Sequence, residues 1–165
     1  MKAIMHNSTP QAQKGITYGT DVDGMIDKAS ILFSNPIFIG IENNAENNIK
    51  EIRSIKTPWV WEDLLKQIHK EASRCKTDNA SQQRTNTLVI VCGDWMEHLI
   101  DHYLNTYYRT CSTTRHRKDM FVQLLSTCDL LIDVGVNVVF IIHINKIDEL
   151  KKSFLEKWCS FTMFC

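Results

Sequence analysis

Two stretches of the chain are apolar without a break, Ile37-Phe38-Ile39-Gly40-Ile41 and Leu88-Val89-Ile90-Val91-Cys92, and a third runs from Asn137 to Ile142. Continuous apolar runs of this length, as opposed to alternating ones, are how strands covered on both faces read. A shorter β-type run, Gly15-Ile16-Thr17-Tyr18, stops at Gly19. Between the runs the apolar positions change to helical spacing. Met25 to Phe33 forms one such segment. Trp61, Leu64, Leu65 and Ile68 form another behind the Thr57-Pro58 break, and Met96, Leu99, Ile100 and Tyr103 a third. Met120, Leu124, Leu125, Cys128, Leu131 and Ile132 make a fourth, ended by Gly135, and a further helix is expected from Ile147. Asn43 to Asn48 reads as a polar loop and Lys76 to Asn86 as a disordered one; residues 105 to 117 read as irregular and basic at their end.

Apolar strands alternating with helices predict βαβ crossovers, hence a three-layer α/β fold with a mainly parallel sheet. Ligands of such sheets sit at the carboxyl ends of the strands. That directs attention to Gly19 to Ile26, Glu42, Cys92 to Asp94 and His143 to Asp148. A length of 165 residues, 44% of them hydrophobic, fits one ordinary globular domain. Its expected limits are a disordered lead-in over 1–14, the α/β domain over 15–148 and a helical, apolar tail over 149–165.

Charge adds little to this picture. Lys plus Arg and Asp plus Glu both number 19, so no net field favours nucleic acid or a membrane surface. The six cysteines are scattered without a C-x-x-C pair, which points to a reducing, cytoplasmic setting. The first residues lack the apolar core of a signal peptide, and no apolar stretch approaches the ~18 residues of a membrane span.

The loop after the first strand carries the most specific chemistry. Gly19-Thr20-Asp21-Val22-Asp23-Gly24 has the glycine spacing of a phosphate-binding loop, G-x-x-x-x-G-K-[ST], whose backbone N–H groups turn onto phosphate oxygens. The lysine position holds Met25 and the magnesium-binding hydroxyl position holds Ile26. Asp21 and Asp23 add negative charge where an anion would lie. Lys28 is the nearest alternative lysine, almost one helical turn on. A calcium loop is the rival reading, with Gly24 sixth and Asp21, Asp23 and Asp27 third, fifth and ninth. Its first and twelfth positions would be Gly19 and Ser30, which are poor ligands.

Several separated segments resemble the phage-type RecA-like AAA ATPases, ATP-binding proteins associated with single-strand annealing and recombination. They are Tyr18-Gly19 through Gly24, Asn35 to Glu42, Trp61-Glu62-Asp63-Leu64-Leu65, Thr87 to Glu97 and Gly135 to His143, in order from about residue 15 to 147. The resemblance implies ATP and Mg2+ as cofactors, single-stranded DNA or recombination proteins as partners, and homo-oligomer formation. It places Glu42 where such ATPases carry the base that activates water, and His143 where a polar residue senses the γ-phosphate. The aspartate that would hold magnesium (Walker B) is replaced by Val91, while Asp94 and Glu97 match and Asp94 is expected to cap the following helix. The family's downstream strands are replaced by the tail. The expected function is therefore an ATP-binding-type domain with degenerate Walker A and Walker B sites and impaired hydrolysis. If the correspondence holds, Met25, Ile26 and Val91 converge, and restoring lysine, threonine and aspartate there brings back magnesium-dependent binding.

Other readings of the same chain come from different classes. A non-catalytic interaction domain binding no nucleotide is one. A GTPase-like protein is another, since Asn145-Lys146-Ile147-Asp148 matches N-K-x-D at a strand end, although no D-x-x-G switch motif follows a middle strand. His98 and His102 share a helix face as a zinc pair would, and still need a third ligand. Tyr107, Tyr108, Arg109, Arg115, His116, Arg117 and Lys118 form a basic-aromatic stretch of the kind that stacks bases of single-stranded DNA.

Overall fold

The computed structural model describes residues 12–41, 53–55, 58, 60–77, 87–108 and 114–164. Glu42, Asn43 to Asn48, Arg109 and the expected loop beyond Thr77 lie outside them. The three apolar runs are strands β2 (Pro36–Ile39), β4 (Thr87–Val91) and β5 (Asn137–His143), and the first short run is β1 (Lys14–Gly19). Two strands that hydrophobic patterning did not reveal, β3 (Arg53–Ile55) and β6 (Phe161–Phe164), take the edges. The sheet order is β3-β2-β4-β5-β1-β6, and every pairing among these strands is parallel. This is the three-layer α/β architecture expected.

The helices are α1 (Val22–Leu32), α2 (Trp61–Thr77), α3 (Asp94–Tyr107), α4 (Thr114–Asp133) and α5 (Glu149–Trp158). Strand side chains alternate between the two faces. Ile16, Tyr18, Ile37, Ile39, Leu88, Ile90, Phe140 and Ile142 point to the face covered by α2, α3, α4 and α5, and form the larger core with Trp61, Leu64, Phe121 and Leu124. On the opposite face, Phe38, Val89, Val91 and Ile141 pack under Met25, Ile26 and Ala29 of α1. Among the described residues, no helix is long and apolar enough to cross a membrane.

Several element boundaries differ from expectation: β1 begins at Lys14, inside the expected lead-in, and α2 runs on through Lys76 and Thr77, where a disordered loop is expected. α1 begins at Val22, three residues before Met25, because Asp21 caps it. Residues 105 to 107 continue α3, and Thr114 to Arg117 open α4, so both sides of the stretch read as irregular are helical. The segment taken as a helical, apolar tail holds α5 followed by β6, which pairs with β1 through Gly15↔Phe161 and Tyr18↔Phe164. Leu155 is fully buried in the larger core, and the Trp158 indole meets Phe140 edge-on at 5.5 Å. Trp158 Nε1 also donates to Asp129 Oδ1 at 2.9 Å, and Asp129 pairs with Lys14 at 2.7 Å. The far edge of the Phe161 ring reaches the Gly15 position of β1, where a Cβ would come within 2.1 Å of it, so only glycine admits this contact.

Candidate functional site

The topology fixes where a ligand can enter. β1 leads into α1 on one face, whereas β4 and β5 lead into α3 and α5 on the other, so neighbouring β1 and β5 send the chain to opposite sides. A crevice opens at the carboxyl ends of strands at such a point. Register aligns Gly19 with His143 and Val91 with Ile141, which brings the ends of β1, β5 and β4 side by side. Ile144 N donates to Gly19 O at 2.9 Å and ties the turn after β5 to the end of β1.

The turn from β1 into α1 is short. Only Thr20 and Asp21 separate β1 from α1, so Val22, Asp23 and Gly24 belong to the first helical turn. Asp21 Oδ1 accepts from Gly24 N at 3.0 Å, and Met25 N donates to Asp21 O at 3.0 Å. A Cβ at Gly24 would sit 2.4 Å from Asp21 Oδ2. The second glycine of the phosphate-loop spacing thus makes room for the chain's own carboxylate, which takes the helix N-terminus that a phosphate would occupy. The calcium reading is overturned by the same geometry, because Asp23 and Asp27 stand on a regular helix and not on a twelve-residue loop. Lys28 is exposed on α1 and lines no part of the crevice.

Met25, Ile26 and Val91 come together in the smaller core with exposures of 2%, 2% and 4%. They do so as a packed apolar cluster with Phe38 and Ile141, offering neither a cation nor an oxygen ligand. Above it lies a cavity of about 260 Å3. Ile26, Ile41 and Val91 line its apolar side; Asp23, Asp94, His143 and Lys146 supply its polar groups. Asp94 does not cap α3: Gly93 is the N-cap residue and no side chain bonds there. Trp95 Nε1 donates to Val91 O at 2.8 Å, which satisfies the last carbonyl of β4 with an indole. His143 Nδ1 accepts from Asn145 N at 3.2 Å, so the neutral ring carries its proton on Nε2.

A second hollow of about 70 Å3, on the α3 and α5 side, shares Cys92, Asp94, His143 and Lys146 with the first. Burial pushes the Cys92 thiol up to about 12, so at neutral pH it is a protonated, weak nucleophile. Beyond it, Glu97 joins Lys151 and Arg117, while Arg117 also pairs with Asp101, linking α3, α4 and α5.

The remaining sequence motifs fall as follows. Asp148 is the N-cap of α5, its Oδ1 accepting from Lys151 N at 2.8 Å and its Oδ2 lying 3.2 Å from Lys151 Nζ. The carboxylate that would read guanine is therefore committed to the helix. His98 and His102 are both exposed, and no group of three metal-binding side chains exists among the described residues. In the basic-aromatic stretch, Tyr108 stacks on His116 at 4.3 Å and Arg117 is held by carboxylates, so much of it is already paired within the fold. Lys146 falls within the strand-end segment His143 to Asp148 that the sequence singles out, but as a cavity-lining group and not as part of a guanine-recognition motif. No protein-family model matches the chain, and no curated protein matches its sequence.

Proposed function

We propose that this chain is a degenerate relative of the phage-type RecA-like AAA ATPases, in which nucleotide chemistry has given way to a non-catalytic binding role. Support for the kinship comes from the ordered motif segments between about residues 15 and 147. The observation that carries the loss of nucleotide chemistry is the Asp21 carboxylate bonded to Gly24 N. An ATP phosphate would have to displace this carboxylate, and it would find Asp23 beside it and Met25 and Ile26 buried below. Losing the lysine alone removes a charge-assisted contact of about 1.5–3 kcal/mol, or about one to two decades of affinity. Magnesium would lack both the hydroxyl and the aspartate. On this reading Glu42 and His143 have no water to activate and no γ-phosphate to sense, and the domain works in the cytoplasm by contact with recombination partners.

Titration with fluorescent ATP and GTP tests this. Binding is expected to be millimolar or undetectable. Micromolar affinity that disappears when Gly24 is altered would overturn the proposal.

A further inference from the structure

We infer that the 260 Å3 cavity at the ends of β2, β4 and β5 binds a small zwitterion, a free α-amino acid with an aliphatic side chain. Size comes first. Clefts for drug-sized ligands run from about 300 to 1,000 Å3, so this one suits a ligand smaller than a nucleotide.

Charge then selects the class. Asp23, Asp94 and Lys146 have no ion-pair partner among the described residues, although other acidic and basic side chains around this end of the sheet do. A purely anionic ligand would face two carboxylates here, with the Asp21 carboxylate close by at the start of α1. A purely cationic one would face Lys146. A molecule carrying both signs meets both demands: its ammonium has Asp23 and Asp94, and its carboxylate has the Lys146 ammonium and the Nε2–H of His143. Ile26, Ile41 and Val91 provide an apolar wall against which a hydrocarbon side chain is removed from water. The inference rests on the proposed function only in requiring that nucleotide does not fill the same space.

Isothermal titration of the full chain with L-leucine tests it, alongside isopentylamine and isocaproate, which each keep one charge and the same side chain. Saturable one-to-one binding of leucine is expected, with each half-analogue at least about tenfold weaker. Asp94→Asn and Lys146→Ala should each weaken leucine by about tenfold. Both positions are exposed, so the melting curve by circular dichroism should stay unchanged. Absence of saturable leucine binding, half-analogues that bind equally well, or an unchanged affinity in both variants would overturn the inference. A separate titration with magnesium-ATP reports on the proposed function alone, so the two failures are read independently.

Discussion

Asp21 does for α1 what a bound anion does for other helices that begin at a strand end: it accepts a first-turn N–H and places negative charge at the positive end of the helix dipole. Asp21→Ala should therefore cost about 0.5–2 kcal/mol, measured by urea unfolding, with Asp21→Asn retaining most of the stability. No loss in the alanine variant would mean the cap is not formed in solution. Cys92 gives a second prediction at this scale. Its thiol moves from an ordinary value of 9.0 to about 12 through burial, so the unfolded chain loses this proton first as pH rises. The contribution is complete below pH 9 and fades toward 12. Thermal stability should fall across that window, and Cys92→Ala should flatten part of the fall; an equal slope in both proteins would refute the assignment. Residue chemistry was only half legible beforehand. The absence of lysine, hydroxyl and aspartate at Met25, Ile26 and Val91 could be read directly, but Asp21 looked like a charge misplaced in a loop. Nothing in the local pattern announced that it closes on Gly24.

Elements were most readable where burial was complete on both faces. β2, β4 and β5 have buried centres on both sides and so appear as unbroken apolar runs. β6 lies at an edge, where its alternating, half-exposed Phe161, Thr162 and Met163 carry too weak a signal to separate a strand from a tail. β3 is only three residues long. The start of α4 was missed because its first turn is polar and basic, and its amphipathic pattern begins only at Met120. Since α5 and β6 together cover β1, deleting residues 153–165 strips Leu155 from the core and leaves the β1 edge unpaired. Size-exclusion chromatography should show oligomers or aggregate in place of the full chain's profile. An unchanged elution volume and melting temperature would show that β6 contributes little.

At the scale of the whole molecule, the carboxyl edge of the sheet holds a crevice floored by the apolar cluster of Met25, Ile26 and Val91. Met25→Lys, Ile26→Thr and Val91→Asp together place charges inside a cluster that is almost fully buried, which should cost on the order of a few kcal/mol. They also leave the Asp21 carboxylate on Gly24 N. The triple variant is thus expected to gain little affinity for magnesium-ATP, and adding Asp21→Gly should be needed before a magnesium-dependent gain appears in nucleotide titration. A triple variant that binds tightly without it would show that the cap yields readily to phosphate.

The position of β1 between β5 and β6 also sets a timetable. Gln13 N bonds to Asn137 Oδ1 across 124 positions, and Lys14 N bonds to Ser160 Oγ across 146. β1 leaves a ribosome long before either of the strands that flank it. Pairings of such long range form slowly because the intervening chain must first be brought together. A nascent chain therefore carries Ile16 and Tyr18 without their neighbours while the intervening elements are made, and the window in which a chaperone or another strand can capture β1 closes only when β6 arrives.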